Sequence, residues 1–393
     1  MSLLKRDTLA MTAVLALMTA LGPLSTDLYL PSLPSIARYF SSSIAAAQTT
    51  LSAFLFGFAL GQIVHGPLSD RLGRKPVLLG GFLLFSLATL ACAYAPSMDA
   101  LIAGRFLQAV GASGPIVLGR AIARDLYEGA RAGRELSRMG TVMGLVPAVA
   151  PFIGGVLETA YGWRSSFTAM LVFGLGVGLI ALIGLPETLP VKLPHPLSWR
   201  SIVGDYKLLL AHPRYRFYIS LSTLSYGGLF AFISGSSFVL QSHYGLDAIS
   251  FGKAFGIVVI GFISGTLLAA RLVTRIGIDR TIGHGTTALA LGGTGMGLAF
   301  LLLDPSPLIL IVPMTVYTCG VGLVMPQSTA GAMSPFPQHA GAASSMLGLT
   351  QMIFAASTGL LLGHLLEQGV WPLPAMIASL GVAALCRFRF TRV

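Results

Sequence analysis

Two side chains stand out for their chemistry: an aspartate and an arginine set in runs too apolar to need either. Asp27 falls well inside a long apolar run, and Arg105 is embedded in the same way. Burying either charge in hydrocarbon costs about 2.5–3.5 kcal/mol even on a mild insertion scale. Nothing about the fold demands that cost, so each is a functional candidate. A carboxyl in such a place can take up and release a proton. Desolvation and a neighbouring arginine act on it in opposite senses, so a balanced site responds when access or substrate changes. The competing reading is a structural pair that only fixes helix packing.

Their depths agree. Asp27 lies about nine residues from the outer end of its helix, and Arg105 about six from the outer start of its own. At a rise of about 1.5 Å per residue the two differ by only about 5 Å, which makes an ion pair or a shared water site feasible. Gln108 is one turn from Arg105 on the same face. Tyr226, Phe230 and Ser237 fall on one stripe of a later run, Tyr317 and Gln327 share another, and Gln351 and Phe354 a third. Each alone is more often packing than binding. Together they would line a mostly apolar, aromatic pocket with few fixed donors, which favours lipophilic ligands. Gly144, Pro147, Pro151, Gly154 and Gly155 crowd one helix, where small residues allow close approach and proline bends the axis. Plain packing and a rocking interface need the same features.

A third cluster is polar. Gly66-Pro67-Leu68-Ser69-Asp70-Arg71-Leu72-Gly73-Arg74-Lys75-Pro76 packs its charges between two long apolar runs. Helices of that length cannot be joined inside lipid, so the stretch is a hinge at a membrane face. Gly73 suits a helix end and Pro76 the first turn of the next helix. Asp70 has Arg71, Arg74 and Lys75 within reach. Charge and spacing alone fit a topology signal as well as a moving part.

The elements that position these residues are membrane helices. The 393 residues are 54% hydrophobic and only 10% charged, against about a quarter charged in soluble chains. Twelve runs of membrane length are expected, near 9–36, 47–68, 76–95, 99–122, 138–158, 164–185, 216–240, 250–272, 281–303, 306–328, 340–365 and 370–388. The long polar connection, with Pro190, Pro194, Pro196 and Pro213, separates a six-helix bundle over 1–189 from a second over 216–393, with 190–215 as linker. With the N-terminus cytoplasmic, twenty-one lysines and arginines fall inside and three, Arg38, Arg164 and Lys253, outside. This bias supports the span count and places both termini in the cytoplasm. It also accounts for the +11 net charge without nucleic acid. Lys5 and Arg6 before an apolar run mimic a signal peptide, but the run continues too far and reads as a retained first helix.

Cys92, Cys319 and Cys386 lie in apolar runs without metal or disulfide spacing, and the seven histidines show no ligand spacing. His65 and His364 read as packed or interfacial. No metal site and no cofactor beyond a proton gradient is expected. Ala270-Arg271-Leu272-Val273-Thr274-Arg275-Ile276-Gly277 is a faint copy of 66–73, matching Leu68, Arg71 and Gly73 with Thr274 in place of Asp70. A repeated loop at the same place in each half suggests duplicated units.

These residues resemble a known family. Gly66-x-Leu68-x-Asp70-Arg71-x-Gly73-Arg74-Lys75 is similar to the loop signature of the major facilitator superfamily. Arg105 to Ala112 resembles its helix-four signature, with Ala109 where glycine is usual. Ala150-Pro151-Phe152-Ile153-Gly154-Gly155 resembles its antiporter signature, with Ala150 replacing glycine. Ser25-Thr26-Asp27-Leu28-Tyr29-Leu30-Pro31, Gly162-Trp163-Arg164 and Pro186-Glu187-Thr188 are similar to segments of drug:proton antiporters of the bicyclomycin/chloramphenicol (Bcr/CflA) type. The resemblance implies two six-helix bundles around a central cavity that open alternately to either side. It implies proton coupling by Asp27 and Arg105, and a cytoplasmic latch at Gly66, Asp70, Arg71, Gly73 and Arg74. It further implies an antiporter helix marked by Pro147, Pro151, Gly154 and Gly155. Substrate would touch Asp27, Tyr29, Arg105, Gln108, Tyr226, Phe230, Ser237, Tyr317, Gln351 and Phe354.

The expectation is a monomeric, multi-pass protein of a bacterial inner membrane that exports small lipophilic drugs against protons. The alternative is a proton-coupled exporter or symporter of a metabolite such as an amino acid or sugar. A membrane-embedded enzyme is disfavoured, because HExxH, GxSxG and paired intramembrane aspartates are all missing from the sequence. A non-transporting sensor or scaffold is a further reading, marked by ligand binding without counterflow.

Overall fold

Lipid offers backbone groups no hydrogen-bond partner, so a chain this apolar must satisfy them within helices. A computed structural model describes residues 8–189, 199–336 and 339–391, and among them no strand occurs. The order is α1 (Leu9–Asp27), a 3-10 turn (Leu30–Ser32), α2 (Leu33–Tyr39), α3 (Ile44–Leu72), α4 (Arg74–Ala93), α5 (Met98–Leu126), α6 (Gly129–Tyr161) and α7 (Arg164–Gly184). Then come α8 (Trp199–Ala211), α9 (Pro213–Ser237) running into a π-helical turn (Phe238–His243), α10 (Ala248–Leu302), α11 (Leu308–Met333), α12 (Ala340–Leu366) and α13 (Pro372–Phe390).

Eleven described segments are long and apolar enough to cross a membrane. One of them, α10, runs 55 residues and holds two spans joined at Gly277, whose φ is 79° and ψ 174°. Split there, the spans number twelve. Leucines such as Leu83, Leu175, Leu267 and Leu298 point outward and are more than half exposed, as a lipid-facing surface requires.

Two differences from expectation concern the first span and the linker. The run 9–36 is not one helix. It breaks after Asp27, passes through the 3-10 turn and resumes as α2, because Pro31 and Pro34 lack the N–H groups that would carry the α1 ladder forward. Part of the linker 190–215 is helical: 199–211 form α8, with Leu209 buried and the Tyr206 and Ser345 hydroxyls bonded at 3.1 Å. Lys192, Pro190, Pro194 and Pro196 lie outside the described residues.

The chain packs as two compact units, Met1–Ser42 with Ala53–Leu197, and Ser43–Ser52 with Ser198–Val393. In the first unit α4 packs on α5 and α7, and α1 on α6 and α5. In the second, α10 packs on α11 and α13, and α9 on α11, α12 and α13.

The proposed loop repeat has a backbone counterpart. Gly73 (φ 107°, ψ 153°) and Gly277 (φ 79°, ψ 174°) occupy the equivalent position, and both sit in a region that is essentially closed to residues with a Cβ. Gly277→Ala should therefore lower stability by about 1–3 kcal/mol. Gly295→Ala, in open space on the same helix, should leave it level or slightly raised. Thermal unfolding of the two purified variants in detergent checks the contrast.

Candidate functional site

The candidate residues fall in both units, and each group has its own geometry. In the first unit Arg105 is wholly buried on α5. Its guanidinium lies over the rings of Phe54 at 4.4 Å and Tyr29 at 4.7 Å, with Phe167 at 5.9 Å. Desolvated contacts of this kind are worth about 2 kcal/mol or more. Arg105 Nη1 donates to Gln108 Oε1. Gln108 Nε2 donates in turn to Thr89 Oγ1 at 2.8 Å and to Met170 Sδ at 3.7 Å, which turns the amide oxygen toward the arginine. Nε and Nη2 of Arg105 have no hydrogen-bond partner among the described residues.

Asp27 is 4% exposed and stands at the last residue of α1. The Thr26 hydroxyl donates to its Oδ1 at 3.0 Å. The feasible ion pair with Arg105 is not formed: among the described residues neither side chain enters one. Arg105 spends its contacts on aromatic faces and an amide instead. Asp27 also stands at a helix C-terminus, where the macrodipole disfavours negative charge. The next residue, Leu28, accounts for the glycine on the facing helix α6. A Cβ on Gly154 of α6 would run into the Leu28 carbonyl oxygen, so only glycine lets α6 lie against the break. Ser166 on α7 donates its hydroxyl to that same carbonyl at 3.3 Å. Pro147 and Pro151 lie inside α6 and remove two ladder donors from it, and Gly155 is buried beside Gly154.

The charged loop is fastened within the first unit. Arg74 Nη1 pairs with Asp70 Oδ1 and donates to Ser69 Oγ at 2.7 Å, while its Nε bonds Asp125 Oδ2 at 3.0 Å. Thr188 donates its hydroxyl to Asp125 Oδ2 at 3.1 Å. Glu187 accepts the backbone N–H groups of Arg74 at 2.9 Å and Lys75 at 3.1 Å, capping α4 from more than a hundred residues away. Lys75 Nζ donates to Leu185 O at 2.7 Å. Arg71 is exposed and enters no ion pair among the described residues. Gly66 lies within α3 and Gly73 supplies the bend.

In the second unit the candidates gather on α9. Gln351 Nε2 donates to Ser222 Oγ at 2.7 Å. The Phe354 ring fills the space beside Gly227, and Tyr317 the space beside Gly228. Tyr226 and Phe230 tilt together at 6.5 Å. The Tyr317 ring is fully buried, and its hydroxyl finds no partner among the described residues. Gln327 is buried, and Ser237 accepts from Gln241 Nε2 at 2.8 Å. His65 is packed, its Nδ1 within 2.8 Å of Gly61 O and 3.1 Å of Ser113 Oγ. No group of three or more His, Cys, Asp or Glu among the described residues could hold a metal ion.

Sequence reading missed Phe54, Phe167, Thr89 and Met170 around Arg105, and the capping role of Glu187. An aromatic in an apolar run carries no mark of which face it takes, and a cap supplied from another segment leaves no local spacing. Only the Pro186-Glu187-Thr188 motif hinted at the last.

A family model described as Major Facilitator Superfamily matches residues 15–360. The chain is 29% identical to the multidrug resistance protein D of Escherichia coli over 371 residues, which cover 94% of this chain and 92% of that protein. It is 28% identical to the bicyclomycin resistance protein homolog of Haemophilus influenzae over 386 residues, covering 98% and 97%. Among solved structures, a D-xylose-proton symporter superposes with a TM-score of 0.77 at 18% identity, covering 98% of each chain, a likeness of fold alone.

Burial raises the Glu187 carboxyl, but four backbone N–H bonds, from Leu189, Arg74, Lys75 and Thr188, outweigh it and hold the carboxyl below the usual glutamate range. A depressed folded value means stability that is present above about pH 4.3 and lost as pH falls through the folded value. Glu187→Ala should cost about 0.5–1 kcal/mol at neutral pH, the lower part of the capping range, because solvent screens this exposed group. Unfolding midpoints of the two proteins should converge as pH is lowered below 4.

Proposed function

We propose a function for a chain that belongs to the major facilitator superfamily: export of small, largely hydrophobic compounds, drugs among them, driven by an inward proton flow. The observation that carries it is Asp27, a buried carboxyl at a helix break with no cation partner among the described residues. The two relatives named for drug resistance support the substrate class. The family carries out transport, not covalent chemistry, and the chain is a multi-pass membrane protein.

In this reading a proton from outside neutralises Asp27 and releases substrate, and exposure to the cytoplasm returns the proton. The neutral acid avoids the cost of a buried charge, so protonation and dehydration of the site are linked. Arg105 offers Nε and Nη2 to an acceptor on the substrate or to the carboxylate after a rearrangement. Its aromatic surroundings, Tyr29, Phe54 and Phe167, suit a flat or lipophilic compound better than a sugar, which would need more fixed donors. The Asp70–Arg74–Asp125 cluster serves as a cytoplasmic latch, too far from Asp27 in the bilayer to be the proton site. The protein would lie in a bacterial inner membrane with both termini in the cytoplasm, as the excess of inner lysine and arginine favours.

Transport into vesicles under an imposed pH gradient tests the assignment. Asp27→Asn should reduce gradient-driven drug movement to background while substrate counterflow without a gradient persists. Unchanged gradient-driven transport would remove Asp27 from the mechanism. Asp70→Asn should slow both modes and leave equilibrium drug binding near its starting value. Lost binding in a well-folded Asp70→Asn protein would contradict the separation of latch and site.

A further inference from the structure

A second site lies in the second unit, apart from the residues assigned above to transport. A groove of about 280 Å³ opens between the second half of α10 and the end of α13. Arg280, His284 and Thr287 line one side and Arg389 the other, with Phe388 against Gly283. Its volume falls just below the range of pockets for drug-sized ligands, so it suits a compact polar group. Arg280 and Arg389 enter no ion pair among the described residues, and neighbouring Arg387 is turned away, donating from Nε to Ser220 Oγ at 2.9 Å and resting over Phe217 at 5.6 Å. The one carboxylate in the groove, Asp279, accepts a bond from the Tyr218 hydroxyl at 2.7 Å.

The faces that carry these cations continue as apolar surface. On α10, Arg280, His284, Thr287 and Leu291 follow helical spacing on one side, and Leu291 is 64% exposed. On α13, Arg389, Cys386 and Val382 do the same, and all three are exposed. Two cations at the polar end of a groove, above two strips of open hydrocarbon, match a molecule with an anionic head and acyl chains. A free phosphate ester would use the head of the groove and ignore the strips.

We infer that this groove binds an anionic glycerophospholipid, its phosphate between Arg280 and Arg389 and its chains along the apolar surface at Leu291 and Val382. The positive-inside bias puts this end in the cytoplasmic leaflet. The inference does not depend on the transported substrate.

The test is native mass spectrometry of the full-length protein in mild non-ionic detergent, titrated with phosphatidylglycerol, phosphatidylcholine or glycerol 3-phosphate. Phosphatidylglycerol should bind at least tenfold more tightly than phosphatidylcholine. Arg280→Gln with Arg389→Gln should weaken phosphatidylglycerol about 30-fold, by the usual contribution of one basic residue near an anionic head applied twice. Arg280→Lys with Arg389→Lys should retain binding, as should Lys253→Gln at the far end of α10. Leu291→Asn should weaken the lipid while leaving the preference for an anionic head. Equal phosphatidylglycerol binding by a monodisperse Arg280→Gln, Arg389→Gln protein would overturn the assignment. So would displacement of the lipid by glycerol 3-phosphate in modest excess, which would identify a site for free phosphate esters.

Discussion

The first unit is built around one costly fact: a guanidinium with no exposure to water, Arg105. Aromatic faces and one amide oxygen stabilise it, and no carboxylate among the described residues does. That choice of partners fixes much else. Gln108 must present oxygen rather than nitrogen, so Thr89 and Met170 must take up its NH₂ group. Phe54, Tyr29 and Phe167 must converge from α3, the break after α1 and α7. A buried donor without a partner costs about 1–3 kcal/mol, and Arg105 keeps two such nitrogens. A structure tolerates this where a ligand or a second state supplies the acceptor.

The break in the first span is the other half of that arrangement. A continuous helix would hide the backbone at Leu28 within its own ladder. Ending α1 at Asp27 frees the Leu28 carbonyl, which Ser166 then bonds and Gly154 approaches. The acidic residue, the proline-bearing helix α6 and Ser166 of α7 thus meet at one interruption of regular structure. Broken helices at membrane depth recur where polar groups must reach a transported molecule.

Most of the span pattern was legible in the sequence because lipid imposes a length and a polarity. The expected 76–95 and 164–185 correspond to Arg74–Ala93 and Arg164–Gly184. The expected 138–158 fell short of Gly129–Tyr161 for a physical reason. Arg131, Arg134, Glu135 and Arg138 end the apolar run but not the helix, since charged residues are free to project beyond the membrane with the ladder intact. The reverse holds at Asp27, where an apolar run continued and the helix did not. Candidate residues were found by polarity out of place, as with Asp27, Arg105 and Gln108. Those that are ordinary apolar residues, Phe54 and Phe167, became visible only in three dimensions, as did Glu187, which acts on a helix far away in sequence.

The two hinge loops show how a duplicated backbone solution diverges in chemistry. Gly73 and Gly277 share a conformation, so the geometry of the turn is common to both units. In the first, Asp70, Arg74, Asp125 and Glu187 knit the turn to the end of α5 and the segment after α7, and Arg74, Asp125 and Glu187 each have at least two partners. In the second, Thr274 stands in place of Asp70 and bonds its own helix at Arg271 O, and Arg271 and Arg275 enter no ion pair among the described residues. A fully satisfied polar network resists change, whereas an under-satisfied one responds to it. The first turn therefore moves as part of its unit or must break several bonds together. Asp27 and Arg105, by contrast, have few hydrogen-bond partners among the described residues.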